Sequence, residues 1–107
     1  MSRYITRCRV DSNHAQIVRA LRQLGVMVQS LAEVGNGVPD LLCGISGIFF
    51  AVEIKDGKRP ASERKLTAEQ ERWHAAAASK RLPVFIVASV DDVADVVRIV
   101  SAARRAA

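Results

Sequence analysis

The sequence predicts an α/β fold in which helices flank a small mixed β-sheet, in the order αβββαβα. Apolar residues recur at helical spacing near the start of the chain, where Ile17, Leu21 and Leu24 share one face of a helix. Residues 48–55 instead alternate between two faces, and residues 84–88 form a short apolar run typical of a buried strand. Helices and strands that each have an apolar side must pack in layers around a shared core, which gives this fold class.

The first helix is predicted from about His14 to Leu24. Residues 11–13 offer several possible N-caps before it, and Gly25 follows it as a C′ residue would. Residues 26–31 alternate and are rich in β-forming types, so they are predicted to form the first strand.

A β-hairpin is predicted next. Residues 32–38 form a glycine-containing turn region, and Pro39 is tolerated where it opens a strand. The second strand is predicted at residues 40–43 and the third at residues 48–55, with a tight connection at residues 44–47. Because that connection is short, the two strands are expected to pair antiparallel.

A polar loop follows the hairpin and leads into the second helix. The loop, residues 56–65, contains glycine, proline and four cations, so it is expected to be solvated. Thr67 and Gln70 have the spacing of a capping box, which predicts a helix that begins there and ends near Lys80.

The last two elements are a strand and a helix. The strand is predicted at residues 84–88, and Ser89 is the expected N-cap of the helix. The tail, residues 102–107, is expected to fray. The apolar stripe of this helix contains four valines: Val93, Val96, Val97 and Val100.

Length and composition limit the possible classes of protein. A chain of 107 residues, half of them hydrophobic, is predicted to be one ordered domain over residues 1–107 with its core at about residues 11–100. It has no apolar run long enough to span a bilayer and no signal-peptide core, so we expect no membrane partner and a cytoplasmic location. Cys8 and Cys43 do not have the spacing of a metal pair, and Cys43 is expected to be buried.

The charge balance is basic. Sixteen Lys and Arg residues against eleven Asp and Glu residues give a net charge of +5. This excess suits a polyanionic partner such as DNA, although many domains carry a similar charge for solubility alone. Aromatic residues are scarce, which argues against a stacking platform for single-stranded bases.

Three charged side chains are predicted to converge at one end of the hairpin. Glu53 and Lys55 lie two residues apart on one strand face, and the hairpin brings Asp40 near Glu53. Two carboxylates, with the backbone carbonyl of Ile54, would suit Mg²⁺ or Mn²⁺. Lys55 could then orient an attacking water or offset charge on a phosphate, so the set predicts phosphodiester hydrolysis.

Each of these residues also has a simpler interpretation. Glu53 and Lys55 could form an ion pair at a strand end, and Asp40 could belong to the turn. Gln70 is explained by the capping box, and Gln16 as a polar residue at a helix edge. The convergence of Asp40, Glu53 and Lys55 at one hairpin end is what favours the site.

The residues in this order resemble a known family. Pro39-Asp40 followed by Glu53-Ile54-Lys55 resembles the PD-(D/E)xK nuclease signature. With Gly35-x-Gly37 before it and Gln70-x-x-Trp73 after it, the series resembles the stand-alone VRR-NUC (virus-type replication-repair nuclease) domains of phages and prophages.

The resemblance implies a role for each site residue. It implies that Asp40 and Glu53 bind the metal, that Lys55 is the catalytic lysine, and that Gln70 is an accessory active-site residue. Gln16 stands where such families carry a further acidic residue in the first helix. An amide there adds no charge, which bears on metal affinity.

The resemblance further implies a Mg²⁺- or Mn²⁺-dependent endonuclease that acts as a homodimer on branched DNA such as four-way (Holliday) junctions, in the cytoplasm of a bacterial or phage-infected cell. A nuclease-derived DNA-binding protein with weakened catalysis is the alternative, and a small α/β interaction module is a third. Residues 4–10 fit either a short strand or an arm. The cations expected to hold the DNA backbone lie in that segment and in the polar loop: Lys58, Arg59, Arg64 and Lys65, with Arg3, Arg7 and Arg9.

Overall fold

The computed structural model describes residues 13–106, and these residues form the predicted α/β arrangement with a four-stranded mixed sheet. The predicted order αβββαβα is confirmed. In chain order the elements are α1 (His14–Gln23), β1 (Met27–Ser30), β2 (Leu41–Ile45), β3 (Ile48–Ile54), α2 (Ala68–Ser79), β4 (Val84–Val87) and α3 (Val90–Ala106), with a short 3₁₀ turn at Ala61–Glu63 before α2.

The sheet has the strand order β1-β2-β3-β4. The first three strands form an antiparallel meander, and β4 adds parallel to β3 after the chain has crossed over through α2. Within the β2–β3 hairpin, Leu41 pairs with Val52 and Cys43 with Phe50. The predicted hairpin is therefore confirmed.

The turn of this hairpin is tighter than predicted. Ser46 and Gly47 alone connect the strands, and both have positive φ angles, of 55° and 80°. This is the combination that a two-residue type I′ turn requires. Gly44 and Ile45, expected in the connection, instead belong to β2 because two residues suffice to reverse the chain.

The main core lies between one face of the sheet and helices α1 and α3. Alternate residues of β2 and β3 point into it, as strand geometry requires, and Phe50 and Phe85 meet there edge to face with ring centroids 5.7 Å apart. The buried residues of this core come from these two helices, from three strands and, at Val26, from the link between α1 and β1: Ile17, Leu21, Val26, Leu41, Cys43, Phe50, Val52, Ile54, Val87, Val93, Val96 and Val100.

Two helix ends differ from the predictions. Leu24, expected in the buried stripe, is 47% exposed because α1 has already ended at Gln23. The tail predicted to fray is helical as far as Ala106. Alanine and arginine are strong helix formers, and Arg104 and Arg105 complement the negative end of the helix dipole.

Some predictions concern segments beyond the described part of the chain. The possible strand or arm at residues 4–10 and the possible caps Asp11 and Ser12 lie outside the described residues. Within residues 13–106, no helix is long and apolar enough to cross a membrane.

Candidate active site

The antiparallel register places Asp40 opposite Glu53. The β2–β3 ladder ends at the pair Leu41–Val52, and Asp40 and Glu53 are the next residues on either strand. The backbone N–H of Ile54 donates a hydrogen bond to Asp40 Oδ2 at 2.7 Å, which ties Asp40 to the end of β3. The two carboxylates therefore lie at the same end of the hairpin.

Glu53 points away from the main core, toward α2. Val52 and Ile54 face α1 and α3, so the side chain between them faces the opposite side of the sheet. Glu53 is only 2% exposed. Gln70 Nε2 donates to its Oε2 at 3.1 Å, and His74 Nε2 lies 3.3 Å from its Oε1. These bonds matter because a buried carboxylate without partners is strongly unfavourable.

Gln70 links the start of α2 to the site. Its backbone N–H donates to Thr67 Oγ1 at 3.2 Å, and its Oε1 accepts from the Thr67 N–H at 2.9 Å, so the predicted capping box is present. The same Oε1 accepts a hydrogen bond from Lys55 Nζ at 2.9 Å. Gln70 is thus both the capping residue and the bridge between Glu53 and Lys55.

Gly37 allows α2 to approach this closely. Its φ angle is +80°, and a Cβ built on it would lie 2.5 Å from the carbonyl carbon of Glu69 and 3.0 Å from the amide nitrogen of Gln70. A side chain at this position would displace the backbone that carries Gln70. The sequence predicted a turn at residues 32–38, but not its contact with α2.

Asn13 ties together the ends of two strands. Its Nδ2 donates to the carbonyl oxygens of Lys55 at 3.1 Å and Ala88 at 3.0 Å, which follow β3 and β4. Asn13 occupies the N-cap position of α1, but its side chain makes no capping hydrogen bond. Its side chain therefore ties the strand ends together instead of capping the helix.

Gln16 lies apart from the Glu53 hydrogen bonds. It is exposed and lines a polar cavity of about 450 Å³ at the start of α1 and α3, together with Asn13, Asp56 and Ser89. Gln16 takes no part in the hydrogen bonds that join Glu53 to α2. The predicted site residues were Asp40, Glu53, Lys55, Gln70 and Gln16. The structure joins Glu53, Lys55 and Gln70 by hydrogen bonds and places Asp40 beside them.

The donor set at the hairpin end fits a hard divalent cation. Within an extended strand the N–H and C=O of one residue point to the same side, so the Ile54 carbonyl faces the same side as its bond to Asp40. Two carboxylates and one carbonyl match the preference of Mg²⁺ for few protein oxygens and several waters. No group of three or more His, Cys, Asp or Glu side chains is placed to hold a metal ion within residues 13–106.

The cations predicted to contact DNA differ in their surroundings. Lys58 and Lys65 are exposed, and Arg64 is half-buried. Arg59 is engaged with Asp56 at 3.6 Å and with Glu63 at 3.3 Å, and these contacts are of modest strength because the Arg59 side chain itself is exposed. The arginines at positions 3, 7 and 9 lie outside the described residues.

His74 is the site residue that sequence reasoning missed. It lies four residues after Gln70 and therefore one turn along the same face of α2. Burial, and secondly the positive charge of Lys55, lower the pKa of His74 below its ordinary value of 6.5, so the ring is neutral at pH 7. The i, i+4 spacing from Gln70 was the signal that could have found it.

Comparison with known proteins gives one informative match. No protein-family profile matches the chain, and no curated protein does. A solved structure described as a VRR_NUC domain superposes with a TM-score of 0.62 at 26% sequence identity, over 78% of this chain and 92% of that one. The chain has the VRR-NUC fold. The predicted resemblance and fold class are confirmed, and the VRR-NUC similarity suggests a nuclease.

Proposed function

We propose that this chain is a divalent-metal-dependent DNA endonuclease that hydrolyses phosphodiester bonds at the end of the β2–β3 hairpin. The observation that carries the proposal is the placement of Asp40 opposite Glu53, with Lys55 bridged to Glu53 through Gln70. The VRR-NUC fold supports the nuclease class.

Asp40, Glu53 and the Ile54 carbonyl would hold a Mg²⁺ or Mn²⁺ ion. When bound, the ion would supply Lewis-acid polarisation of the scissile phosphate. Lys55 has three N–H donors and uses one on Gln70, so it can also donate to a phosphate oxygen or orient an attacking water. The Gln70 bond fixes the ammonium before substrate arrives, which is how electrostatic stabilisation becomes effective.

The substrate would be held by contacts to its phosphates. Lys58, Lys65 and Arg64 lie in the polar loop that directly follows Lys55 in the chain, and Arg59 could exchange its weak ion pairs for a phosphate. A symmetric homodimer would present two sites to the two strands of a four-way junction, and we propose branched DNA as the preferred substrate on this ground.

Cleavage assays with matched variants test the proposal. Labelled four-way junction, flap and linear duplex are incubated with Mg²⁺ or Mn²⁺, and Glu53→Gln and Lys55→Met are each expected to lower the rate by about 100-fold or more. Glu71→Gln is the control, because Glu71 is an exposed carboxylate on the same helix as Gln70. Equal cleavage by Glu53→Gln and wild type would refute the role of Glu53 in catalysis. The proposed homodimer is tested separately, by light scattering with and without the junction.

One observation favours a second candidate, a DNA-binding protein with weakened catalysis. The hairpin end has two carboxylates, and Gln16 is a neutral, exposed residue beside a separate cavity. Within residues 13–106 no third acidic side chain joins the two carboxylates as a metal ligand. Tight binding to the junction without cleavage in either metal would favour this candidate over the enzyme.

A further inference from the structure

His74 contacts the carboxylate oxygen of Glu53 that Gln70 does not contact. Gln70 Nε2 bonds Oε2, whereas His74 Nε2 lies 3.3 Å from Oε1, so each carboxylate oxygen has its own partner from α2. The His74 side chain is 16% exposed and that of Glu53 is 2% exposed, so this contact is largely screened from water. An ionised carboxylate only accepts hydrogen bonds, so a hydrogen bond to ionised Glu53 has the ring donate from Nε2, in the Nε2–H tautomer.

Partners on both oxygens restrict the orientation of the Glu53 carboxylate more than a single partner would. The terminal torsion of a glutamate side chain has a broad energy profile, so a single hydrogen bond leaves the carboxylate free to rotate. A second donor on the other oxygen fixes the plane of the group. A carboxylate offers about four acceptor positions, so two bonds from α2 are compatible with a role as a metal ligand.

We propose that His74 is a positioning residue that fixes the Glu53 carboxylate in the orientation needed to bind the divalent metal ion. This inference rests on the proposed function. His74 acts through Glu53, since its Nε2 is committed to that carboxylate. Residues that orient a metal ligand in this way typically change metal affinity or activity by about 10–100-fold when they are replaced.

One face of α2 carries both partners of Glu53. Gln70 and His74 lie one turn apart on α2, and the helix start is fixed by the capping box with Thr67. The Trp73 ring meets the imidazole edge to face, with centroids 6.2 Å apart, which restricts its rotation. The imidazole is therefore held in place before any metal binds.

Mn²⁺ binding provides a measurement that does not depend on cleavage. The affinity of the full-length protein for Mn²⁺ is measured by calorimetry or by electron paramagnetic resonance. His74→Phe keeps a ring but removes the donor, and it is expected to weaken binding by about 10-fold or more. His74→Gln restores an amide donor and is expected to recover part of the loss. Gly35→Ala adds a Cβ at a position where nothing lies within 4 Å, and it controls for mild destabilisation.

The outcomes separate this inference from the proposed function. Mn²⁺ affinity in His74→Phe within about twofold of wild type overturns the role of His74 while leaving the metal site intact. If wild-type protein binds no Mn²⁺, the proposed metal site fails and the inference fails with it. If His74→Phe does not fold, ¹⁵N NMR of the wild-type imidazole decides, because the proposal requires the Nε2–H tautomer and the Nδ1–H tautomer overturns it.

Discussion

Replacement of Gly37 by alanine should damage the protein more than the same change at Gly35, two residues away in the same turn. Both glycines have positive φ, +80° and +74°, so an alanine at either position adopts a left-handed conformation at a cost of about 1–2 kcal/mol. Only at Gly37 does the added Cβ also meet backbone, 2.5 Å from the carbonyl carbon of Glu69. At Gly35 nothing lies within 4 Å.

The difference between the two variants measures the contact with α2. Overpacking typically costs about 1–3 kcal/mol, so Gly37→Ala should lose about 2–5 kcal/mol in total and Gly35→Ala only the conformational part. In a domain of this size each kcal/mol lowers Tm by about 4–8 °C. Urea denaturation gives the free energy of unfolding of each variant, and thermal melting provides the second measurement.

Gly37→Ala should also affect chemistry, because the displaced backbone carries Gln70. At temperatures where both variants are folded, we expect Gly37→Ala to reduce cleavage and Mn²⁺ affinity, whereas Gly35→Ala should leave both near wild type. Equal losses of stability in the two variants would refute the close approach of the turn to α2. A destabilised Gly37→Ala with wild-type Mn²⁺ affinity would refute the link from this turn to the site.

Three further predictions concern other parts of the chain. Asn13→Ala should lower the free energy of unfolding by about 1–3 kcal/mol in urea denaturation, because the carbonyls of Lys55 and Ala88 lose their donor; an unchanged stability would contradict this. Burial raises the pKa of the Cys43 thiol from 9.0 to about 12. In a Cys8→Ser background, iodoacetamide should therefore modify Cys43 at pH 9 about 500-fold more slowly in the native than in the urea-unfolded protein, because the reactive thiolate is that much rarer in the native state. The thiol of Cys43 loses its proton near pH 9 in the unfolded protein but keeps it in the native protein. The free energy of unfolding should therefore fall as pH rises above 9 through the contribution of Cys43, and a contribution that rises would contradict the raised pKa.

Much of the fold was predictable because its signals are local. Period-two alternation determines which residues of β3 face the core, and the β2–β3 hairpin then brings Asp40 level with Glu53. The capping box at Thr67 and Gln70 is likewise a matter of spacing three residues apart. The two helix ends and the turn were misjudged because tertiary packing and a two-residue loop moved boundaries by a few residues.

The residues of the site also divide into those placed by local signals and those placed by tertiary packing. The sequence by itself determined that Glu53 and Lys55 share a strand face and that Asp40 meets them, since these follow from alternation and pairing. Only the tertiary structure decided that Gln70 reaches across from α2 to join them and that His74 holds the second carboxylate oxygen. These contacts depend on how closely one helix lies against the sheet.

That closeness is decided by contacts between residues distant in the sequence. Gly37 admits the backbone of α2 because it lacks a Cβ, and Asn13 ties the ends of β3 and β4 across 42 and 75 residues of chain. The position of Gln16 beside a separate cavity follows from the same packing of α1 against the strand ends. Local patterns fix which side of an element faces inward, but the distance between elements depends on the volumes and hydrogen bonds of residues that meet only in the folded chain.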